Sequence, residues 1–442
     1  MCTLSNVVDA LQTTFGRAAI EANEQAKVVK RHRKFDPITL AQSFVMAMLA
    51  KPKANVEDIA TMAATLGVVV TPQAVQQRYG PALNAFFEAL FHRMLKIVVT
   101  SDQALAPILN RFSEVRVIDS TVIALPVSQA DQYRACGVKG GLVKSALKLQ
   151  TELNLCTGQI ESIQIEPGKL PDQGTDRQHV KPKPGSLRIT DLGYFNLAVF
   201  AMIASAKAFY LSRMQYTVSV RVDGLRSPLI DWLHSQTSGV IDQWIQVGTK
   251  NILKCRLIAW KVPAEIASRR RQKMRQAMKD VGRQPSAMAL ASCDWEYLIT
   301  NLETEKLSVK EAIILYRSRW QIELLFKRWK SHCEIDLLDG GRDEITMTRL
   351  WVRLCAALIQ HWLIVGIAWS NSMKISFAKL AKVIRRMSWE IANSLQDTTK
   401  LLSVLETILR QAAVACRRTK CKKRPTTSEL LHDAEMLEYA LT

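Results

Sequence analysis

The stretch LYRSRWQIELLFKRWK, Leu315 to Lys330, is the part of this 442-residue chain from which the rest is best read. Apolar spacing makes Val309 to Cys333 strongly helical. On that helix Tyr316, Arg319, Glu323 and Lys330 fall at i, i+3, i+7 and i+14, along one face about four turns long. A basic stripe holding one carboxylate makes chemical sense if Glu323 binds a metal ion while its neighbours bind phosphate. Trp320, Ile322 and Leu324 are expected to pack the other side into the core. The competing reading is a solvated amphipathic helix with an incidental glutamate.

Working upstream, two further carboxylates stand out by their position. Val115 to Ser120 reads as a short apolar strand that ends at Asp119, and Leu187 to Thr190 as another that ends at Asp191. An unpaired carboxylate on a core strand is costly, and a divalent cation held by oxygen ligands is an efficient partner. A third carboxylate from a nearby helix would complete a site for two ions about 3.5–4 Å apart. Strand-end aspartates also start turns or cap helices, and Asp191, just before Leu192-Gly193, suits a cap as well.

Between and after these strands the chain alternates between the two periods. Ala146 to Cys156 and Gln159 to Ile165 alternate around the turn Thr157-Gly158, which predicts a hairpin. Lys169 to Gly185 is polar, with room for one short helix. Phe195 to Lys207 reads as a helix and Ala208 to Leu211 as a strand, so a mixed α/β sheet follows. Strand texture resumes at Tyr216 to Val222, Trp244 to Val247, Cys255 to Val262 and Trp295 to Thr300. An arginine-rich helix carrying Arg269, Arg270, Arg271, Lys273, Arg275 and Lys279 interrupts it. Residues 345–412 read as helical throughout.

The N-terminal region is helical by its spacing. Asn55 and Asp58 are a capping pair for a helix over Val56 to Leu66, Gly67 ends it, and Thr71-Pro72 opens another. Helix, turn and helix over residues 55–80 is the outline both of a helix-turn-helix and of an ordinary helical hairpin. The second helix carries Gln73, Gln76, Gln77, Arg78 and Tyr79, side chains able to read bases or grip phosphate. The basic run Lys27, Lys30, Arg31, His32, Arg33, Lys34 just upstream favours nucleic acid. The chain ends in a second basic run, Arg417, Arg418, Lys420, Lys422, Lys423, Arg424.

Composition agrees with a polyanion partner. The formal net charge is +20 and 48% of residues are hydrophobic, which excludes a disordered chain and a disulfide-stapled miniprotein. Nine scattered cysteines without a CxxC pair point to free thiols in a reducing compartment rather than to structural zinc. The opening residues are polar and mixed, unlike a signal peptide. The most apolar run, Leu354 to Trp369, is interrupted by Gln360 and His361 and falls short of the ~20 residues of a membrane span, so a buried helix and a soluble protein are expected.

Tyr-x2-Arg-x3-Glu-x6-Lys, matched by Tyr316, Arg319, Glu323 and Lys330, resembles the signature of bacterial DDE transposases of the insertion-sequence family four type. Asp119 within Val117-Ile118-Asp119-Ser120-Thr121 and Asp191 within Ile189-Thr190-Asp191-Leu192-Gly193 look like that family's first two acidic residues. Asp191 and Glu323 lie 132 residues apart, long for a bare RNase H-like domain. Members of this group carry a β-rich insertion there, and residues 215–293 have that texture. The loop Pro167 to Gln173 departs from many relatives in lacking a His-Asp pair, which leaves Asp172 without an assigned role.

The resemblance implies an α/β RNase H-like catalytic core interrupted by a β-rich insertion and flanked by helical regions. The expected organisation is a helical DNA-binding domain over 1–108, the first part of the core over 109–214 and the insertion over 215–293. The rest of the core then covers 294–370, and a helical region with a basic tail covers 371–442. It further implies cut-and-paste transposition of an insertion sequence, with Asp119, Asp191 and Glu323 holding two Mg²⁺ ions (Mn²⁺ as substitute) and Tyr316, Arg319 and Lys330 gripping DNA. Trp295 is either a base-stacking platform or a core tryptophan, and Arg213 either a phosphate contact or one half of a salt bridge. The implied partners are double-stranded DNA, as inverted repeats and target, and a second protomer in the synapse, with no membrane. The implied location is the bacterial cytoplasm and nucleoid. The alternative is a non-catalytic DNA-binding protein such as a domesticated transposase or a transposition repressor.

Overall fold

Strands form where β-branched and aromatic residues alternate with polar ones, and helices where the apolar spacing lengthens to three and four. The computed structural model describes residues 2–30, 34–136, 145–249, 252–338, 342–369, 374–419 and 426–433. Arg31, His32 and Arg33 of the first basic run, and Lys420, Lys422, Lys423 and Arg424 of the second, lie outside the described residues. The strands are β1 Val115–Ala124, β2 Ala146–Asn154, β3 Ile160–Pro167, β4 Leu187–Thr190, β5 Phe209–Arg213, β6 Ser219–Val222, β7 Leu225–Pro228, β8 Val240–Val247, β9 Leu253–Lys261 and β10 Trp295–Thr300.

The chain divides into two units that do not follow the sequential partition read from the sequence. The first comprises Met1–Leu105, Ser120–Leu170 and Gln321–Lys420, the second Ala106–Asp119, Pro171–Trp320 and Cys421–Thr442. Strand β1 and the signature stretch are each shared, the first half of each belonging to the second unit.

In the second unit β1, β4 and β5 run parallel, with Val117 opposite Ile189 and Ile189 opposite Leu211. β10 joins β5 antiparallel, and the order continues β9-β8-β6-β7. The β-rich segment is therefore built outward from β10. Phe200 and Ile203 of the helix Leu197–Ser205 pack with Tyr210, Leu257 and Trp295 in its core. Arg256, with none of its side chain exposed, is held by both oxygens of Asp242 at 2.5 and 2.8 Å and by the carbonyls of Leu302 and Leu307. β7 escaped the sequence reading because Leu225-Arg-Ser-Pro228 has no apolar alternation to mark it.

The first unit is built around the helix Asp343–Ala368, buried along nearly its whole length. It is the one described helix long and apolar enough to cross a membrane, and 94% of its most apolar window is buried inside the fold. Helices Cys2–Thr13, Pro37–Ala50 and Pro81–Met94 pack on it, with Phe91 and Trp351 ring centroids 5.6 Å apart. The β2–β3 hairpin pairs Leu149 with Ile165. Its turn glycine, Gly158, has φ +76° and meets the same helix, where His361 Nε2 donates to the Gly158 carbonyl at 2.7 Å. Burial pushes the His361 imidazole down to about 3, so it is neutral at ordinary pH.

Several boundaries move. β1 runs on past Asp119 to Ala124, so Asp119 lies inside a strand and not at its end. The capping box at Asn55 and Asp58 forms as read, but the helix after Thr71 spans only Pro72–Gln76. Gly80-Pro81 interrupts the segment and starts the helix Pro81–Met94. Five residues make too short a helix to lie along a groove, so within residues 55–80 the second helix of a helix-turn-helix is reduced to little more than one turn. The helix expected over 309–333 is two, Val309–Ser318 and Trp320–His332, and that over 345–412 divides into four.

Candidate active site

Parallel register brings the two aspartates level. β1 and β4 pair with an offset of 72 residues, Val117 against Ile189, and Asp119 and Asp191 are separated by the same 72. Asp191 follows the last residue of β4, where the chain leaves the sheet through Leu192-Gly193-Tyr194.

Arg319 stands between them. Ser308 and Glu311 cap the helix Val309–Ser318 reciprocally, which fixes the approach of its last turn. Arg319 sits at the joint before the helix Trp320–His332, and its guanidinium reaches Asp119 Oδ2 at 3.2 Å and Asp191 Oδ2 at 3.7 Å. Tyr316 Oη donates to Asp191 Oδ1 at 2.8 Å. Burial opposes the Asp191 charge, but Arg319, the Leu192 N–H, the Tyr316 hydroxyl and Arg213 outweigh it and hold the carboxyl below the usual range. Burial, the neighbouring Asp191 charge and the hydrogen bond push the Tyr316 phenol up, so it stays a donor.

Tyr316 and Arg319 also line a cleft of about 320 Å³, with Arg213, Arg270, Arg317, Glu296 and Trp320 and the apolar Trp260, Val262, Pro263, Ile266 and Ile313, and neither Asp119 nor Asp191 lines it. Arg213 donates to Glu296 Oε2 at 2.8 Å, and its guanidinium lies 5.7 Å from the Tyr316 ring centroid. Arg270, from the arginine-rich helix Ala264–Asp280, binds the other Glu296 oxygen. Arg213 is thus in a salt bridge and beside the site at once.

Glu323 and Lys330 fall in the first unit, on the helix Trp320–His332. Glu323 is half-buried, four residues beyond Arg319, and Lys330 Nζ donates to the Val122 carbonyl of β1 at 3.3 Å. Among the described residues no three His, Cys, Asp or Glu side chains form a group able to hold a metal ion. The gathered acids are Asp119 and Asp191, with Arg319 as their shared cation.

Trp295 takes the core position, one of the two read for it, while Trp320 departs from the sequence reading. Trp295 is 2% exposed, part of the apolar core, with Lys261 Nζ 5.2 Å from its ring centroid. Its ring faces are covered and offer nothing to a base. Trp320, expected in the core, is 56% exposed and lines the cleft, and Leu324 is exposed too. Arg78 lies 4.7 Å over the Phe35 ring and is half-buried there. Sequence reasoning missed Glu296, Arg270 and Asp172 as neighbours of the site. A Cβ on Gly193 would lie 3.0 Å from Asp172 Oδ2, so that carboxylate sits against the loop after Asp191. Only the arginine run over 269–275 signalled any of this.

A family model described as a transposase DDE domain matches residues 110–359, more than half of the chain, and the chain belongs to that family. It is similar to the transposase for insertion sequence element IS231F of Bacillus thuringiensis subsp. israelensis, 25% identical over 77% of this chain and 75% of that protein. The IS231B transposase of Bacillus thuringiensis subsp. berliner is 24% identical over 85% of this chain and 81% of its own length. The IS1151 transposase of Clostridium perfringens is 23% identical over 66% of each.

Proposed function

We propose that this protein moves an insertion sequence by cut and paste, cleaving DNA at the element's ends and joining the freed 3′-OH to target DNA. The observation that carries this reading is the level pair Asp119 and Asp191 sharing the single guanidinium of Arg319, in a chain of the DDE family. Asp119 and Asp191 set two carboxylates side by side within a strongly basic protein. Hard oxygen donors suit Mg²⁺, with Mn²⁺ as substitute.

Asp119, Asp191 and Glu323 are the proposed ligands of two such ions. When bound, the ions supply Lewis-acid activation of the attacking and leaving oxygens. The protein's own groups do the rest. Arg319 keeps Asp191 ionised and neutralises phosphate charge as the strand enters. Tyr316, held protonated, orients Asp191 through its hydrogen bond and can donate to a phosphate oxygen. Arg213 and Arg270 line the path of the strand, Lys330 sits on β1 as a further phosphate contact, and Trp320 offers a free indole face for stacking on a base. Arg78 is an outlying DNA contact through its exposed edge. Each protomer handles one DNA end, so a homodimer synapses two ends, in the bacterial cytoplasm at the nucleoid.

The test is incubation of the full-length protein with end-containing duplex and Mg²⁺, resolving nicked, hairpin and joined products. Metal-dependent nicking followed by joined product is expected. Nicking without joining would make the protein a nuclease, and end binding without nicking a repressor.

A further inference from the structure

Five arginines are buried among the described residues, and four of them have oxygen partners. Arg188 donates to the carbonyls of Gln178 and Val180, Arg256 to Asp242 and two carbonyls, and Arg353 to those of Pro52, Glu334 and Leu337. Arg319 has its two aspartates. Arg328, 7% exposed, is the exception. Its Nε is buried without a hydrogen-bond partner, and its guanidinium rests 5.3 Å from the Phe377 ring centroid. Burial pushes its pKa down to about 10, so it still carries a full charge at neutral pH. A buried cation without an anion is costly, and a ligand that brings the anion removes that cost.

The surroundings of Arg328 are built for such a ligand. It lines a pocket of about 280 Å³ together with Lys327, His332, Ser376, Phe377 and Arg418, and no Asp or Glu side chain lines it. Ser376 is the N-cap of the ten-residue helix Phe377–Arg386, whose first N–H groups lack intrahelical acceptors and whose dipole favours an anion. Burial, with Arg385, Lys382 and Arg328 adding to it, pushes the His332 imidazole down, so at neutral pH it serves as a neutral hydrogen-bonding group. Arg418 is anchored by donation from Nε to the Ile375 carbonyl at 3.4 Å. The whole pocket lies within the first unit.

We infer that this pocket binds a backbone phosphate of the DNA on which the protein acts. Gln321, Leu324, Arg328 and Ser331 recur at i, i+3, i+7 and i+10, a different face of the helix from Glu323 and Lys330. One helix then serves two stretches of DNA backbone, one at the reacting end and one away from it. The inference rests on the proposed transposase function but concerns a site outside its chemistry.

The test uses the full-length protein and a set of end duplexes, each with one phosphate replaced by a neutral methylphosphonate. For wild type, one position should weaken binding about tenfold or more, the loss of a charge-assisted contact. In Arg328→Met that position should matter by less than about twofold. The variant should itself bind unmodified DNA about tenfold more weakly, with a salt slope reduced by about 0.9. If the variant fails to fold, judged by circular dichroism, the rim pair Lys327→Ala/Arg418→Ala must show the same loss of coupling. Identical methylphosphonate profiles for wild type and variant would overturn the inference. So would inorganic phosphate raising the Tm of wild type alone while no position couples, since a free anion would then be the occupant. Failure of the functional reading looks different, because wild type would then not distinguish end DNA from random duplex at all.

Discussion

Two acid–arginine clusters in the second unit show how the same chemistry serves different ends. In one, Arg256 is fully covered and spends its guanidinium on one carboxylate, Asp242, and two carbonyls. Both carboxylate contacts are short, at 2.5 and 2.8 Å, and the result ties β8, β9 and the loop over 302–307 together. In the other, Arg319 is divided between Asp119 and Asp191 at 3.2 and 3.7 Å, and 38% of the Asp191 side chain is exposed. The Asp191 contact is looser. The first cluster is a structural tie, whereas the second keeps solvent access for a ligand.

The comparison breaks most visibly at the closed cluster. Asp242→Asn leaves Arg256 buried without its counter-charge, and stability should fall by about 3 kcal/mol in urea unfolding. Asp119→Asn at the open cluster should shift the same midpoint by no more than about 1 kcal/mol while abolishing cleavage. Arg319→Ala should lower the end-cleavage rate by about 1.5–3 kcal/mol of lost charge-assisted contact, one to two powers of ten. Tyr316→Phe removes one hydroxyl and should cost about 0.5–1.5 kcal/mol in the same assay.

Acid sharpens the contrast further. The folded Asp191 carboxyl titrates below its ordinary value of about 3.9. Its stabilising contribution is therefore present above the unfolded pKa and is lost as pH falls through the lower folded one. Asp191→Asn should flatten the stability loss below about pH 4 and leave the curve between pH 6 and 8 unchanged. The smallest effect is expected for Gly193→Ala. Its Cβ would meet Asp172 Oδ2 at 3.0 Å, and that side chain can move aside. Less than about 1 kcal/mol of stability should be lost, with a measurable change in cleavage if Asp172 helps to shape the Asp191 loop.

Much of this was legible in the sequence because strands announce themselves. Val115 to Asp119 and Leu187 to Thr190 are short apolar runs, and two such runs in parallel register carry their trailing aspartates to one level. The helix joint at Arg319 left no mark, because neither glycine nor proline stands there. Trp320 stands four residues after Tyr316 and three before Glu323, so it falls on the signature face and not opposite it, and it is exposed beside the cleft. Periodicity could assign Arg328 to a helix face, but only packing shows that it lacks the oxygen partners its four buried counterparts have. The division into two units was equally hidden, since it cuts through β1 and through the signature stretch, each of which reads as one element.

The central claim is that Asp119, Asp191 and Glu323 act together on DNA through a divalent cation. Glu323→Gln keeps the size and most of the hydrogen bonding of the side chain and removes its charge. Mg²⁺-dependent cleavage and end binding, measured side by side for wild type and this variant, test the claim most directly. The account predicts that nicking and strand transfer vanish together while end binding is kept or improves, the carboxylate no longer repelling phosphate. Cleavage by Glu323→Gln at near the wild-type rate would contradict it.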